Sequence, residues 1–153
     1  MRKLLTLTIA VLLFGIVTSN AQSNYTTALG LGIDFGDGQT LVGPSVKHFF
    51  TEEHAGMGEV TFGDNVTFLT ILYQYHGQFP NASGLTWFAG AGPSIAFFDG
   101  SSDFFLRPVV GLDFKIRDVP LAFSFDWRPW IFFGDSNDSF EAARFGLGAR
   151  YTF

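Results

Sequence analysis

In the run Leu121-Ala122-Phe123-Ser124-Phe125-Asp126-Trp127-Arg128, every second side chain is large and apolar, and those between are small, polar or charged. The last nine residues repeat the pattern, with Phe145, Leu147, Ala149, Tyr151 and Phe153 set against Gly146, Gly148, Arg150 and Thr152. A period of two is the signature of a β-strand, whose successive side chains leave opposite faces of the sheet. One face of each strand suits lipid or an apolar core. The other carries Gly, Ser, Thr and charge.

The alternation runs through most of the chain between clusters of Gly, Asp, Asn and Pro, which end strands. Eight strands are expected, at about 24–35, 40–50, 55–63, 66–76, 84–98, 104–116, 120–133 and 140–153. The first sets Tyr25, Thr27, Leu29, Leu31, Ile33 and Phe35 against Thr26, Ala28, Gly30, Gly32 and Asp34. The third and fourth fit least well, because Phe68 and Leu72 fall on the otherwise polar face. Pro44, Pro93, Pro108 and Pro129 lie within strands although proline cannot donate to a ladder, so bulges or ladder gaps are expected there.

Eight strands can close in two ways. A soluble lipocalin-like ligand-binding barrel turns its large apolar side chains inward, and a membrane barrel turns them outward. The interior of eight strands is only wide enough to be filled by side chains. The bulky face does not fit there, and the face of Gly, Ser and charge does. Composition agrees: 15% of residues are charged against 18% aromatic, with twenty Phe and eighteen Gly, where soluble domains devote about a quarter to charge. The expected fold is all-β, an eight-stranded antiparallel up-and-down transmembrane β-barrel, closed because lipid cannot satisfy a sheet edge.

The only stretch apolar enough to raise the question of a spanning helix is N-terminal. Arg2 and Lys3 precede the largely apolar run Leu4 to Val17, and Ser19-Asn20-Ala21 ends on a small residue. This reads as a secretory signal peptide, residues 1–21, ahead of a barrel domain, residues 22–153; a spanning anchor needs about 20 apolar residues. Its removal takes away two basic side chains and leaves seven against fourteen acidic ones, with no cysteine. An acidic chain is a poor partner for nucleic acid, which needs a basic patch.

With the N-terminus on the periplasmic side, the outer connections are 36–39, 63–65, 99–103 and 134–139, and the inner ones 51–54, 77–83 and 117–119. Tyr25, Phe50, Tyr75, Trp87, Phe114, Tyr151 and Phe153 then gather near the inner end as an interfacial aromatic girdle. The inward face carries Asp34, Lys47, Glu59, Arg107, Asp113, Lys115, Asp126, Arg128, Arg144 and Arg150. Mixed charges that are buried must be paired, so a lumen plugged by ion pairs is expected rather than an open pore. The three histidines, His48, His54 and His76, lie toward the inner end, and nothing assembles a nucleophile, base and orienting group. No catalytic residue, cofactor or metal site is expected, and the acidic outer turns lack the spacing of a calcium loop.

A last strand that alternates in this way and closes on Tyr151-Thr152-Phe153 resembles the assembly signal of bacterial outer-membrane barrels. From the signal peptide through eight strands, the chain is similar to the small outer-membrane barrel family that includes OmpX and the membrane domain of OmpA. The resemblance implies a Gram-negative-type outer membrane reached through the periplasm. It also implies contact with outer-membrane lipid and lipopolysaccharide, insertion by the barrel assembly machinery through Phe145, Leu147, Ala149, Tyr151 and Phe153, a monomeric state, and a structural or surface-interaction role. The sequence departs from OmpA in having no domain after the eighth strand, and its outer loops are short. A lipid-modifying rim enzyme and a soluble lipocalin-like barrel are the rival readings.

Overall fold

The structure is a computed structural model describing residues 25–133 and 139–153. Residues 1–21, read above as a signal peptide, and most of the connection 134–139 lie outside the described residues.

The alternating stretches form β1 (Thr27–Gly36), β2 (Gln39–Phe49), β3 (His54–Gly63), β4 (Val66–Gln78), β5 (Leu85–Phe98), β6 (Ser101–Lys115), β7 (Leu121–Trp127), β8 (Trp130–Phe132), β9 (Ser139–Glu141) and β10 (Phe145–Thr152). All pairings are antiparallel. Neighbouring strands pair from β1 through to β7, β7 pairs β10, and β10 returns to β1 with Ala28 opposite Thr152 and Phe35 opposite Phe145. The last pairing closes the sheet. β8 and β9 prolong β7 and β10 after short interruptions, so ten segments make eight staves. Among the described residues there is no helix.

Tight turns fix the hairpins. Asp37 and Gly38 both have positive φ (46° and 72°), the geometry whose twist matches that of the flanking strands. Traced from His54 through Tyr75, Ala89, Val110, Trp127 and Phe145, the register reaches β1 at Phe35, whereas Phe49, beside Ala55 on the other side, bonds β1 at Thr26. That stagger of about ten residues over eight staves corresponds to strands tilted by roughly 35–45°, as in closed barrels.

The bulky face points outward. Leu31 is 56% exposed and Ile71 57%, and Val110, Leu112, Phe123, Phe125 and Leu147 are exposed around the same wall. Of the expected girdle, Phe50, Tyr75, Trp87, Phe114, Tyr151 and Phe153 are exposed on it. Tyr25 is not. It precedes β1, where the strict alternation has not begun, and its ring is buried against Phe49 (5.2 Å, edge-on) while its hydroxyl donates to Asp113 (3.0 Å).

The prolines interrupt ladders without shifting them. Between β2 and β3 the partners jump from Val42–Phe62 to Ser45–Glu59 across Gly43 and Pro44, and between β4 and β5 from Thr70–Ser94 to Tyr73–Ala91 across Gly92 and Pro93. On the β6 side, pairing with β7 ends at Val110–Trp127 and resumes with β8 at Leu106–Ile131, so Pro108 and Pro129 flank one shared gap. Among the described residues a true bulge lies only at 142–144: three residues there face Arg128 and Pro129, between Trp127–Phe145 and Trp130–Glu141. Both Gly-Pro-Ser segments share a logic. A Cβ on Gly43 or Gly92 would overlap the carbonyl of Val60 or Ile71, so only glycine admits the neighbouring strand so closely. Gly92→Ala is expected to destabilise the barrel by about 1–3 kcal/mol, the cost of forcing atoms into a packed wall, read as a lower midpoint of urea unfolding in detergent micelles.

Candidate functional site: the barrel lumen

The inward face packs in levels from one mouth to the other. At the end where β1 begins and β10 finishes, Tyr25, Ala28, Ala122 and Phe49 cluster across the lumen. Above them Lys47 pairs with Asp113 at 2.7 Å, its ammonium 4.7 Å from the centre of the Phe88 ring. Phe88 packs with Met57, Leu72 and Val109. The middle belongs to guanidinium and carboxylate. Arg150 reaches Glu59 (3.4 Å), Ser45 (3.0 Å) and Ser124 (2.9 Å), while Arg128 donates to Glu59 (2.6 Å) and forks onto both oxygens of Asp126 (2.7 Å for the Nη2 arm). At the far mouth Asp34 accepts from both Arg107 and Arg144, and Leu41, Val66, Phe68, Ala96, Phe105, Trp130 and Phe132 form an apolar cap.

The inward glycines make the middle possible. The Arg128 guanidinium lies against Gly146 and that of Arg150 beside Gly148, each where a Cβ would stand; Glu59 sits against Gly32 in the same way. Small residues on β1 and β10 therefore leave the volume that long ionic side chains fill. These ions are out of water, where a pair holds only if its remaining donors and acceptors are also satisfied. Bidentate Arg128–Asp126 geometry and the serine hydroxyls at Arg150 supply that satisfaction.

Of the ten inward charges expected from sequence, Asp34, Lys47, Glu59, Arg107, Asp113, Asp126, Arg128, Arg144 and Arg150 are buried, and each joins at least one ion pair in this column. Lys115 does not reach them. At the last position of β6 it is only half-buried, and its ammonium donates to the carbonyls of Ile116 (2.9 Å) and Val119 (2.6 Å) in the adjoining turn. Phe145, Leu147, Ala149, Tyr151 and Phe153 project from the opposite, outer side of the closing strand and its final residue. The lumen also holds the two apolar side chains that the alternation set on the polar face, Phe68 and Leu72, together with Phe88. All three are fully buried inside it, so its contents are layered apolar and ionic rather than polar throughout.

The histidines serve local structure. His48 bonds Thr27 (2.9 Å), His54 bonds Tyr73, and buried His76 bonds Gln74 (3.2 Å) and Thr86 (3.4 Å). Among the described residues no group of three or more His, Asp or Glu is placed to hold a metal ion. The Tyr25 hydroxyl bond to Asp113 joins the terminal closure to the first ion pair. Tyr25→Phe is expected to cost about 1.5 kcal/mol, as for a hydrogen bond to a charged group, measurable as a reduced unfolding midpoint with the fold retained.

This architecture defines a closed eight-stranded antiparallel β-barrel with an ionic lumen and an apolar outer wall. No family model matches the chain, and no curated protein does. Among solved structures, the N-terminal β-barrel domain of OprF from Pseudomonas aeruginosa is similar, with a TM-score of 0.62 at 15% identity, covering 85% of this chain and 100% of that one. The likeness is one of fold.

Proposed function

We propose that this chain is an outer-membrane barrel of a Gram-negative-type envelope, with a lumen filled by a packed ion-paired plug rather than an open pore, and that its role is structural or surface-interacting and not enzymatic. The observation that carries the reading is the pairing of opposites across one wall. An unbroken belt of exposed Leu, Val, Phe and Trp stands outside, and an ion-pair column is sealed inside. A soluble protein rarely exposes an apolar patch beyond a few hundred Å², and a belt that encircles the molecule suits acyl chains. The fold shared with the OprF barrel domain supports the same location.

Outer-membrane lipid and lipopolysaccharide are the partners this surface fits. The barrel assembly machinery is the partner proposed for the outward row Phe145, Leu147, Ala149, Tyr151 and Phe153 of the closing strand, and the barrel acts as a monomer. The test joins location to plug. The protein should fractionate with outer membranes, migrate faster on gels before boiling than after, and give no conductance steps in planar bilayers. Recovery in the soluble fraction overturns the location, and regular conductance steps overturn the plug.

A further inference from the structure

Three buried N–H groups at the far mouth meet no acceptor among the described residues: Arg107 Nε, Arg144 Nε and Trp130 Nε1. They belong to one cluster. The guanidinium carbon of Arg144 lies 4.2 Å from the centre of the Trp130 ring and that of Arg107 5.5 Å. The remaining arms of both arginines are engaged: each sends one Nη2 to Asp34, while Arg107 Nη1 bonds Thr70 (3.5 Å) and Arg144 Nη1 bonds the Gly36 carbonyl (2.6 Å). Asp34 thus sets one negative charge against two guanidiniums. Glu59 and Asp126, the next carboxylates along, are already committed to Arg128 and Arg150 and relieve nothing here. Over the buried lumen groups the imbalance persists, with Lys47, Arg107, Arg128, Arg144 and Arg150 set against Asp34, Glu59, Asp113 and Asp126; half-buried Asp103 and Glu141, opposite inward Ala96 and Trp130, stand at the same mouth outside the two arginines' ion pairs.

Donors without acceptors and a buried charge without a counter-charge are both unfavourable. A species that only accepts hydrogen bonds and carries a single negative charge answers both at once. We propose that the lumen binds one small monovalent inorganic anion, of the chloride class, between Arg107, Arg144 and Trp130. One uncompensated unit among the buried groups, with the carboxylates of Asp103 and Glu141 at the same mouth, disfavours multivalent phosphate or sulfate and leaves a monovalent ion. Half-buried Trp130 and Phe132 in the apolar cap put the site within reach of the far mouth. The inference needs only the closed lumen and is independent of the membrane location.

Trp130 is also the reporter. Trp87 and Trp127 stand on the outer wall, 36% and 38% exposed, so Trp87→Phe with Trp127→Phe leaves one indole, at the site. In this variant, folded in detergent micelles, iodide should quench the fluorescence saturably and chloride should reverse the quenching competitively, while neutral acrylamide should quench linearly. Arg107→Lys keeps the charge and removes the Nε donor. It should raise the half-saturating iodide concentration about tenfold, the equivalent of one charge-assisted hydrogen bond. Linear iodide quenching unaffected by chloride overturns the proposal, as does saturable quenching that chloride fails to reverse. If Arg107→Lys does not fold, the chloride competition decides alone.

Discussion

Arg128→Ala is expected to lower the unfolding free energy of the micelle-bound barrel by about 3–5 kcal/mol, the cost of leaving buried charge without its partner. Arg128 is fully buried and bonds two carboxylates from opposite sides of the lumen, Glu59 and Asp126. Glu59 keeps Arg150 at 3.4 Å, but Asp126 has no other ion pair among the described residues. Most of the loss therefore falls on Asp126, and adding Asp126→Asn should recover part of it. Urea unfolding followed by tryptophan fluorescence measures both. An unchanged midpoint would mean that the guanidinium is solvated and that the ion column is not what fills the barrel.

The second large effect depends on the bilayer rather than on the lumen. Phe125 is 48% exposed on the outer wall, between Leu112 and Leu147 of the flanking strands. Phe125→Arg should cost about 2–4 kcal/mol when the barrel is folded into lipid vesicles, the penalty for a guanidinium near the bilayer midplane. An exposed arginine on a soluble barrel would change stability by no more than about 0.5 kcal/mol. The two environments therefore predict different numbers for one substitution. Folding efficiency into vesicles, titrated with urea, distinguishes them.

Much of this architecture was legible in the chain because most wall positions obey one rule: apolar outside, small, polar or charged inside. Leu121 to Arg128 and Phe145 to Phe153 follow it without exception, and β7 and β10 occupy those runs. The rule says nothing where the strand has not begun. Tyr25 sits on the outward parity of β1, yet the chain turns at Thr26 and the ring enters the lumen. Parity also cannot distinguish a charge deep in the wall from one at its rim, which is why Lys115 falls outside the ion column. Phe88 and Val109 occupy inward positions, and only three-dimensional layering explains why a largely ionic interior accepts them. Partner identity was beyond reach for a plainer reason. Asp34 and Arg144 meet across the seam between β1 and β10, and their pairing depends on a stagger that periodicity does not encode.

The order in which the lumen charges occur along the chain bears on how the barrel shuts. Among the buried lumen charges, those through β7 are Asp34, Glu59, Asp113 and Asp126 against Lys47 and Arg107, whereas Arg128, Arg144 and Arg150 all follow. A sheet curled but still open at β1 would thus present a surplus of negative charge. The segment that seals the seam brings the opposing cations with it, so zipping β10 against β1 coincides with cancelling that negative surplus. A copy stalled before Arg128 would keep two raw edges and a repelling interior, a state poorly suited to persist beside the finished cylinder.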